Sequence, residues 1–529
     1  MGIYLNPGNV LFEKFIQNDI YVDKTGIIPE LIKIFECQNQ YICVSRPRRF
    51  GKTVICNMLT AYFSKGCDSS PLFADSIGSK DPVFEKYLNK INVIKIDMNS
   101  EFQNEKDTEN FIDIFSTKIN VELQAEFPQV KLNTNDSLAN CILEIYNQTK
   151  ETFVILIDEY DVLVRESVTG SISESLFKKY LSFLNGLFKS STLQPAITLA
   201  YLTGILPIIR EKFQSKLNNF IENTMIDSNS LAPYIGFTSQ EVQDLCEKHG
   251  ASYEECKRWY DGYRLEGWEM YNPRSIVESV RNKKIRSYWG QTSTYEVISD
   301  YINMNFDGTK EDVIKMISDG RAYVDVGSYK NTMTDFKTRH DVFTYLIHLG
   351  YLAYDPEEEE CYIPNREVRE EWVRALRVSA DYAQTTKIIE DSKILLQETI
   401  DLDSAAVAQS LDVSHIHVTS NRSYNNEDAL HCAIYLSYFY ALNKYSCFRE
   451  CPAGKGIADM VYVPFVQGYP ALIFELKHNG KTETALTQIK EKKYFASLES
   501  YTGDLLFVGI TYDEKTKKHE CRIETFVKQ

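Results

Sequence analysis

Between about residue 40 and residue 205 the chain alternates short β-branched apolar runs with segments of helix length. The runs are YICVS at 41 to 45, NVIKID at 92 to 97, FVILI at 153 to 157 and ITLAYLT at 197 to 203. Strands separated by helix-length connections cannot pair as hairpins. They pair in parallel, with helices covering both faces of the sheet. This pattern predicts an α/β fold for the first part of the chain.

The first of these strands runs into Ser45-Arg46-Pro47-Arg48-Arg49-Phe50-Gly51-Lys52-Thr53, which opens a helix expected to reach Gly66. A loop between a strand and a helix N-terminus presents backbone N–H groups to phosphate. In such a P-loop the lysine reaches the β and γ phosphates and the hydroxyl binds Mg²⁺, roles that fall to Lys52 and Thr53. The first glycine of G-x-x-x-x-G-K-[ST] would stand at Arg46, so the loop departs from the strict pattern. Arg46, Arg48 and Arg49 form a basic cluster able to hold phosphates, and Gly51 completes the expected nucleotide-binding set. The run Phe153 to Ile157 ends in Asp158-Glu159, the form of a strand whose aspartate supports Mg²⁺ and whose glutamate polarises the attacking water. Thr203, just after a later strand, could sense the γ phosphate or simply cap the strand.

From about 236 to 375 the pattern turns helical, with a capping box at Thr238 and Glu241 and an N-cap at Asn272 before Pro273. A hairpin is expected near TYLIHLGYL, and the acidic run at 357 to 360 reads as a solvated turn. A further helical stretch spans about 366 to 411. A helix from about 426, strands IADMVYV and ALIFELK, a helix from about 482 and the strand DLLFVGITY then make a second α/β domain. The expected boundaries are 1 to 235, 236 to 411 and 412 to 529.

The second candidate site lies in that last domain. Side chains alternate along a strand, so Glu475 and Lys477 emerge on one face, and Asp459 can stand beside them if the two strands pair across PFVQGYP. Two carboxylates suit one Mg²⁺ or Mn²⁺, and a lysine can orient water or offset charge on a phosphodiester. Glu427 opens the preceding helix as a further candidate ligand. Gln488, Lys490, Lys492 and Lys493 give the next helix an edge suited to DNA phosphates or merely to solvent. Lys515, Lys517, Lys518 and His519 read as a second basic stretch or a surface turn.

Composition limits the partners. A formal charge of -16 repels nucleic acid at long range, so any contact with it must be local or metal-assisted. The twelve cysteines include no CxxC pair, which points to reduced thiols. No signal peptide pattern is present, and no apolar run approaches the roughly 18 residues of a membrane span. A cytoplasmic protein without membrane contact is expected.

Taken together, YVDKTGIIPELI, RPRRFGKT, VILIDEYD, LTGILPI, LNNF, GFTSQEV, WYDGYR, YNPRSI, LIHLGYL, IPNREV, GKGIADMVYVP, FELKHNG and TQIKEKKY run in order over nearly the whole chain. The chain thereby resembles bacterial two-domain proteins with an AAA-ATPase-like N-terminal domain and a C-terminal domain of the PD-(D/E)xK nuclease superfamily. The resemblance implies a P-loop NTPase sheet with a helical middle region and a restriction-endonuclease-like α/β domain. It also implies that the arginine-rich loop is the family's own form. Lys52, Thr53, Asp158 and Glu159 match its ATPase motifs, and Asp459, Glu475 and Lys477 its nuclease motif. The expected cofactors are ATP and Mg²⁺ or Mn²⁺, and the expected partner is nucleic acid, DNA rather than RNA, with a homo-oligomer left open. The rival expectation is a nucleotide-controlled switch or scaffold whose nuclease-like domain only binds nucleic acid or a protein.

Overall fold

The computed structural model describes residues 2–37, 39–105, 108–168, 170–208, 217–291, 295–327, 329, 336–418, 427–453, 456–494, 498 and 501–526. For 168, 415–418, 427–429 and 453 the backbone alone is described. The chain divides into two units, one of residues 1–294 with 323–370, the other of 295–322 with 371–529.

In the first unit, β1 (Tyr41–Ser45), β2 (Asn92–Asp97), β3 (Phe153–Asp158), β4 (Ile197–Gly204) and β5 (Ile221–Asn223) form a parallel sheet in the order β2-β3-β4-β1-β5. Every residue of β1 and β3 is buried, as expected where helices cover both faces of a parallel sheet. From β1 the chain crosses to β2 at the far edge, works back through β3 and β4 on that side, and then places β5 on the other side of β1. Its C-terminal end is therefore the crevice where α/β sheets bind ligands. Edge strand β2 is covered by the N-terminal segment, with Asn6 N–H on Val93 O at 2.8 Å and Lys95 N–H on Tyr4 O at 2.9 Å. The Glu122 carboxylate pins that segment by accepting the N–H groups of Ile3, Tyr4 and Leu5 at 2.8, 2.9 and 2.8 Å.

Helix α1 (Lys52–Phe63) follows the loop and stops short of the expected Gly66, because Ser64 turns to extended backbone and Lys65 N–H bonds Ile91 O at 3.2 Å. α2 (Val162–Val168) follows β3. The helical segment has both expected caps. Thr238 and Glu241 exchange hydrogen bonds at the start of α3 (Ser239–His249), and Asn272 accepts from Arg274 N–H at the start of α4 (Pro273–Asn282). The stretch TYLIHL lies in α5 (Arg339–Leu349), and the hairpin comes just after it, Ala353–Asp355 with Glu360–Tyr362, turning through the acidic run. A second hairpin, Tyr263–Leu265 with Trp268–Tyr271, is an addition to the expected pattern.

In the second unit the sheet is mixed. It is built from β6 (Tyr445–Ala453), β7 (Gly456–Pro464), β8 (Ala471–His478), β9 (Leu505–Asp513) and β10 (Lys518–Phe526), paired in that order. Only β8 and β9 run parallel, joined by α9 (Thr482–Glu491), while the other pairs are antiparallel. One face packs on α6 (Ala383–Ile400), α7 (Ser404–Val418) and α8 (Glu427–Ser437), and the other on α9. The two outer strands, β6 and β10, are additions to the predicted set. Both carry charged residues, as sheet edges do, and β6 also contains Pro452, so neither reads as a core strand. The basic stretch at 515 to 519 forms the turn into β10, and His519 is buried on Asp412 with its Nδ1 2.9 Å from the carboxylate.

Candidate functional site

The loop after β1 owes its shape to two residues with left-handed backbone, Arg49 at φ 69° and Gly51 at φ 90°. Gly51 takes that conformation without strain and has open space where a Cβ would stand. Helix α1 then starts without a side-chain cap and without an acid in its first turn, so its amides remain available to an anion. The Lys52 ammonium folds back onto the loop and donates to Arg46 O and Pro47 O, each at 2.8 Å. Burial pulls its pKa down to about 8 against the opposing charges of Asp158, Asp161 and Glu159. Thr53 is exposed on the first turn.

Arg46 stands apart from the other loop arginines. Its side chain is fully buried, and its Nη1 donates to Ser45 O, Asn223 O and Thr224 O at 2.9, 3.0 and 2.8 Å. Burial brings its pKa to about 10. The expectation that Arg46 binds nucleotide is corrected: it occupies the first-glycine position as a staple between β1 and the end of β5, and it does not line the cavity beside the loop. Arg48 and Arg49 do line it. Partial burial and the charges of Arg274 and Arg48 hold the Arg49 guanidinium below its ordinary range, with Glu278 opposing.

That cavity has a volume of about 750 Å³ and is lined at one end by Gly51, Lys52, Thr53 and Glu159, and elsewhere by Phe15, Ile20, Val22, Phe237 and Val277. The size suits a nucleotide-sized ligand, and the lining provides an apolar wall for a base and cations for phosphates. Asp158, at the end of β3, is buried, and it accepts from Thr203 Oγ1 and from Glu159 N–H at 3.1 Å. Thr203 is thus buried on the aspartate. Thr53 lines the cavity, whereas Asp158 lies buried behind its lining. Glu159 has a left-handed backbone at φ 51° and pairs with Arg165 Nη2 at 3.1 Å.

Sequence reading missed Lys24, Arg165, Arg274 and Arg281 as lining residues. Lys24 is held between Pro233 O at 2.7 Å and Glu241 at 2.6 Å, so the capping glutamate of α3 also neutralises a buried ammonium. Arg274 and Arg281 come from α4, whose N-cap was legible. What was not legible is that α4 faces the loop.

In the second unit Asp459 and Glu475 lie on neighbouring strands, one step beyond the paired Met460 and Phe474. Asp459 accepts from Leu476 N–H at 2.6 Å, and Lys477 Nζ stands 2.6 Å from Glu475 Oε1. Glu475 is buried, while Lys477 is partly exposed. The pairing of strands across PFVQGYP thus brings these three residues together. Glu427 opens α8, and its side chain lies outside the described residues. Two residues join the group that sequence reading had not singled out. His431, buried on the same helix, points Nε2 to within 3.9 Å of Asp459 without a hydrogen bond. Tyr494 accepts from Gln488 Nε2 at 3.0 Å. Burial raises the Tyr494 phenol, the Gln488 hydrogen bond opposes, and the charges of Glu475 and Asp459 add to the rise. Gln488 thus engages Tyr494, whereas Lys490 pairs with Glu524. Among the described residues no group of three or more His, Cys, Asp or Glu side chains is gathered closely enough to hold a metal ion.

Residues 8–213 match the model of the AAA-ATPase-like family, described as a predicted AAA-ATPase, so the chain carries an AAA-ATPase-like domain on its N-terminal side. The chain is 26% identical over 296 residues to an uncharacterised protein in the vnfD 5′ region of Azotobacter chroococcum mcd 1, an alignment covering 55% of this chain and 54% of that one. It thus spans about half the length of this curated relative. Among solved structures, C. elegans PCH-2 is similar with 14% identity over 70% of this chain and 72% of its own, at a TM-score of 0.20. The Aeropyrum pernix ORC1 protein in complex with DNA has 8% identity over 94% of this chain and 100% of its own, at a TM-score of 0.25. Likenesses at these scores carry no argument about activity. Among the described residues no helix is long and apolar enough to cross a membrane.

Proposed function

We propose that the chain is an ATP-binding ATPase whose C-terminal unit is a metal-dependent nuclease acting on DNA, with nucleotide state regulating cleavage. The ATPase half rests on the AAA-ATPase-like match together with the cavity at the loop, where Lys52, Arg48 and Arg49 would meet phosphates and Glu159 would orient water. Thr53 and Asp158 would hold the cation there.

The observation that carries the nuclease half is the placement of Asp459, Glu475 and Lys477 side by side on two paired strands, with the ammonium 2.6 Å from Glu475. Two adjacent carboxylates suit a hard cation, so Asp459 and Glu475 would hold Mg²⁺ or Mn²⁺. Such an ion, when bound, supplies Lewis-acid polarisation of a phosphodiester. The residues contribute the rest. Lys477 offsets negative charge developing at phosphorus, Glu475 keeps that lysine in position, and Gln488 with Tyr494 borders the acids where a strand of DNA would lie.

The test is cleavage of linear, circular and single-stranded DNA by the purified protein with Mg²⁺ or Mn²⁺, with and without ATP, beside Glu475→Ala. Cutting that needs metal and Glu475 is the expected result, and its dependence on ATP measures the regulation. A second reading, a nucleotide-controlled switch or scaffold that binds without cutting, is favoured by the net charge of -16, which disfavours DNA at long range. Absence of cutting in every condition would select it.

A further inference from the structure

Arg165 is the most enclosed of the arginines that line the nucleotide cavity and form a described ion pair, with its side chain 16% exposed against 44% for Arg274 and 40% for Arg281. The latter two are engaged on exposed helix surface, Arg274 with Glu278 at 3.0 Å and Arg281 with Asp19 at 3.1 Å. Arg165 instead spans two acids with different freedom. Its Nε lies 3.3 Å from Asp161, a fully buried carboxylate that is itself fixed by the N–H groups of Ile205 and Leu206, each at 3.1 Å. Its Nη2 lies 3.1 Å from Glu159, a partly exposed side chain on a left-handed backbone that lines the cavity. Nε meets Asp161 by charge alone, without a hydrogen bond, whereas Nη2 donates to the residue expected to orient water.

We propose that Arg165 is shared in turn between Glu159 and the terminal phosphate of a bound nucleoside triphosphate, so that this chain supplies its own charge-neutralising arginine for hydrolysis. The proposal rests on the ATPase reading. Without nucleotide, the guanidinium occupies a carboxylate oxygen of Glu159. Arg165, Glu159 and Lys52 line the same cavity, so a terminal phosphate that meets Lys52 lies in the space Arg165 borders. A phosphoryl group carries more charge than a carboxylate and matches the planar fork of arginine, so it draws Nη2 away while the guanidinium remains beside the Asp161 charge. Glu159 is then released to face water. In the hydrolytic step the water oxygen bonds to the terminal phosphorus, and the bond from that phosphorus to the bridging oxygen breaks with its electron pair leaving on the diphosphate. The water proton passes to Glu159 and from there to the departing inorganic phosphate. An arginine supplied within the chain makes hydrolysis independent of a neighbouring subunit.

The test compares the affinities of the full-length protein for ATPγS and ADP by calorimetry, in the wild type, Arg165→Ala and Arg165→Lys, together with steady-state ATP hydrolysis. Arg165→Ala is expected to weaken ATPγS about tenfold, the loss of about 1.4 kcal/mol of contact. ADP should stay within about twofold, and kcat should fall by about a hundredfold or more while the specific activity of wild type stays constant on dilution. Arg165→Lys keeps the charge near Asp161 but cannot fork, and is expected to lose the same preference for the triphosphate. Should the alanine variant not fold, the lysine variant carries the test. Equal weakening of both nucleotides, or no weakening of either, overturns the proposal, as does a wild-type specific activity that collapses on dilution. Wild-type protein that binds neither nucleotide would instead overturn the ATPase reading, and this proposal with it.

Discussion

Lys52 shows how one buried charge sets a pH dependence. Its pKa falls from 10.5 to about 8 because the ammonium is shielded from water. Between those values the unfolded chain binds more protons at this site than the folded one, so the lysine's contribution to the stability of the nucleotide-free protein improves as pH rises through that window. Nucleotide affinity should move the other way. Phosphate favours the charged lysine, so binding takes up a proton above pH ~8 and weakens as pH rises further. Calorimetry of ATP binding in two buffers of different ionisation enthalpy at pH 8.5 is expected to show that uptake in wild type and not in Lys52→Arg. At the second site His431 is the residue to probe. Its Nε2 faces Asp459 from 3.9 Å inside the fold, so His431→Ala is expected to slow DNA cleavage about 10- to 100-fold, the range for losing a supporting partner of a metal site, with nucleotide binding unchanged. Unaltered cleavage in that variant would assign His431 to the core alone. The motif residues themselves were visible in the chain, since GKT, DE and ExK are local patterns. His431 was not, because nothing in a helical run of leucine, cysteine and alanine says which strand will lie opposite.

At the scale of elements, the back of the phosphate loop is shaped by segments far away in sequence. Gly350 ends α5 at φ 83°, where a Cβ would stand 2.6 Å from the Pro47 side chain and 2.9 Å from Trp289. Tyr263, from the hairpin that sequence reading missed, donates from its hydroxyl to Gly350 O at 2.6 Å and meets Phe50 edge to face at 5.6 Å. Gly350→Ala therefore combines left-handed strain of about 1–2 kcal/mol with pressure on the loop. A lower melting temperature with weakened ATP binding is the expected result, read by thermal unfolding with and without ATP. Loss of stability with no change in affinity would show that the loop is insulated from α5. The helix caps that position α3 and α4 were legible because Thr238 to Glu241 and Asn272-Pro273 are short-range chemistry. The outer strands β6 and β10 were not, because a charged edge strand lacks the alternation by which half-buried strands are recognised.

At the scale of the molecule, the net charge of -16 and the proposed DNA substrate pull in opposite directions, so DNA affinity should depend on local cations. Lys492 and Lys493 are exposed just beyond α9 and close in sequence to Tyr494. Lys493→Ala is expected to lower the slope of log affinity against log salt by about 1 while weakening all DNA sequences alike, as loss of one phosphate contact does. Measurement of binding over a salt series checks this, and an unchanged slope would place that lysine on a solvated face.

The sequence by itself determined what depends on neighbours along the chain. That comprises a parallel α/β part with a glycine-lysine-threonine loop at the end of its first strand, a helical segment with definable caps, and a later α/β part with Glu475 and Lys477 on one face of a strand. Only the tertiary structure decided that Arg46 turns inward onto the carbonyls of Ser45, Asn223 and Thr224 while Arg48 and Arg49 face the cavity. It also decided that Arg165 ties Glu159 to Asp161, and that residues 295–322 pack with the C-terminal unit whereas 323–370 pack with the N-terminal one. The reason is physical. Hydrophobic period and capping chemistry act over a few residues, whereas the direction of a buried charge is fixed by which carbonyls and carboxylates converge on it from distant strands.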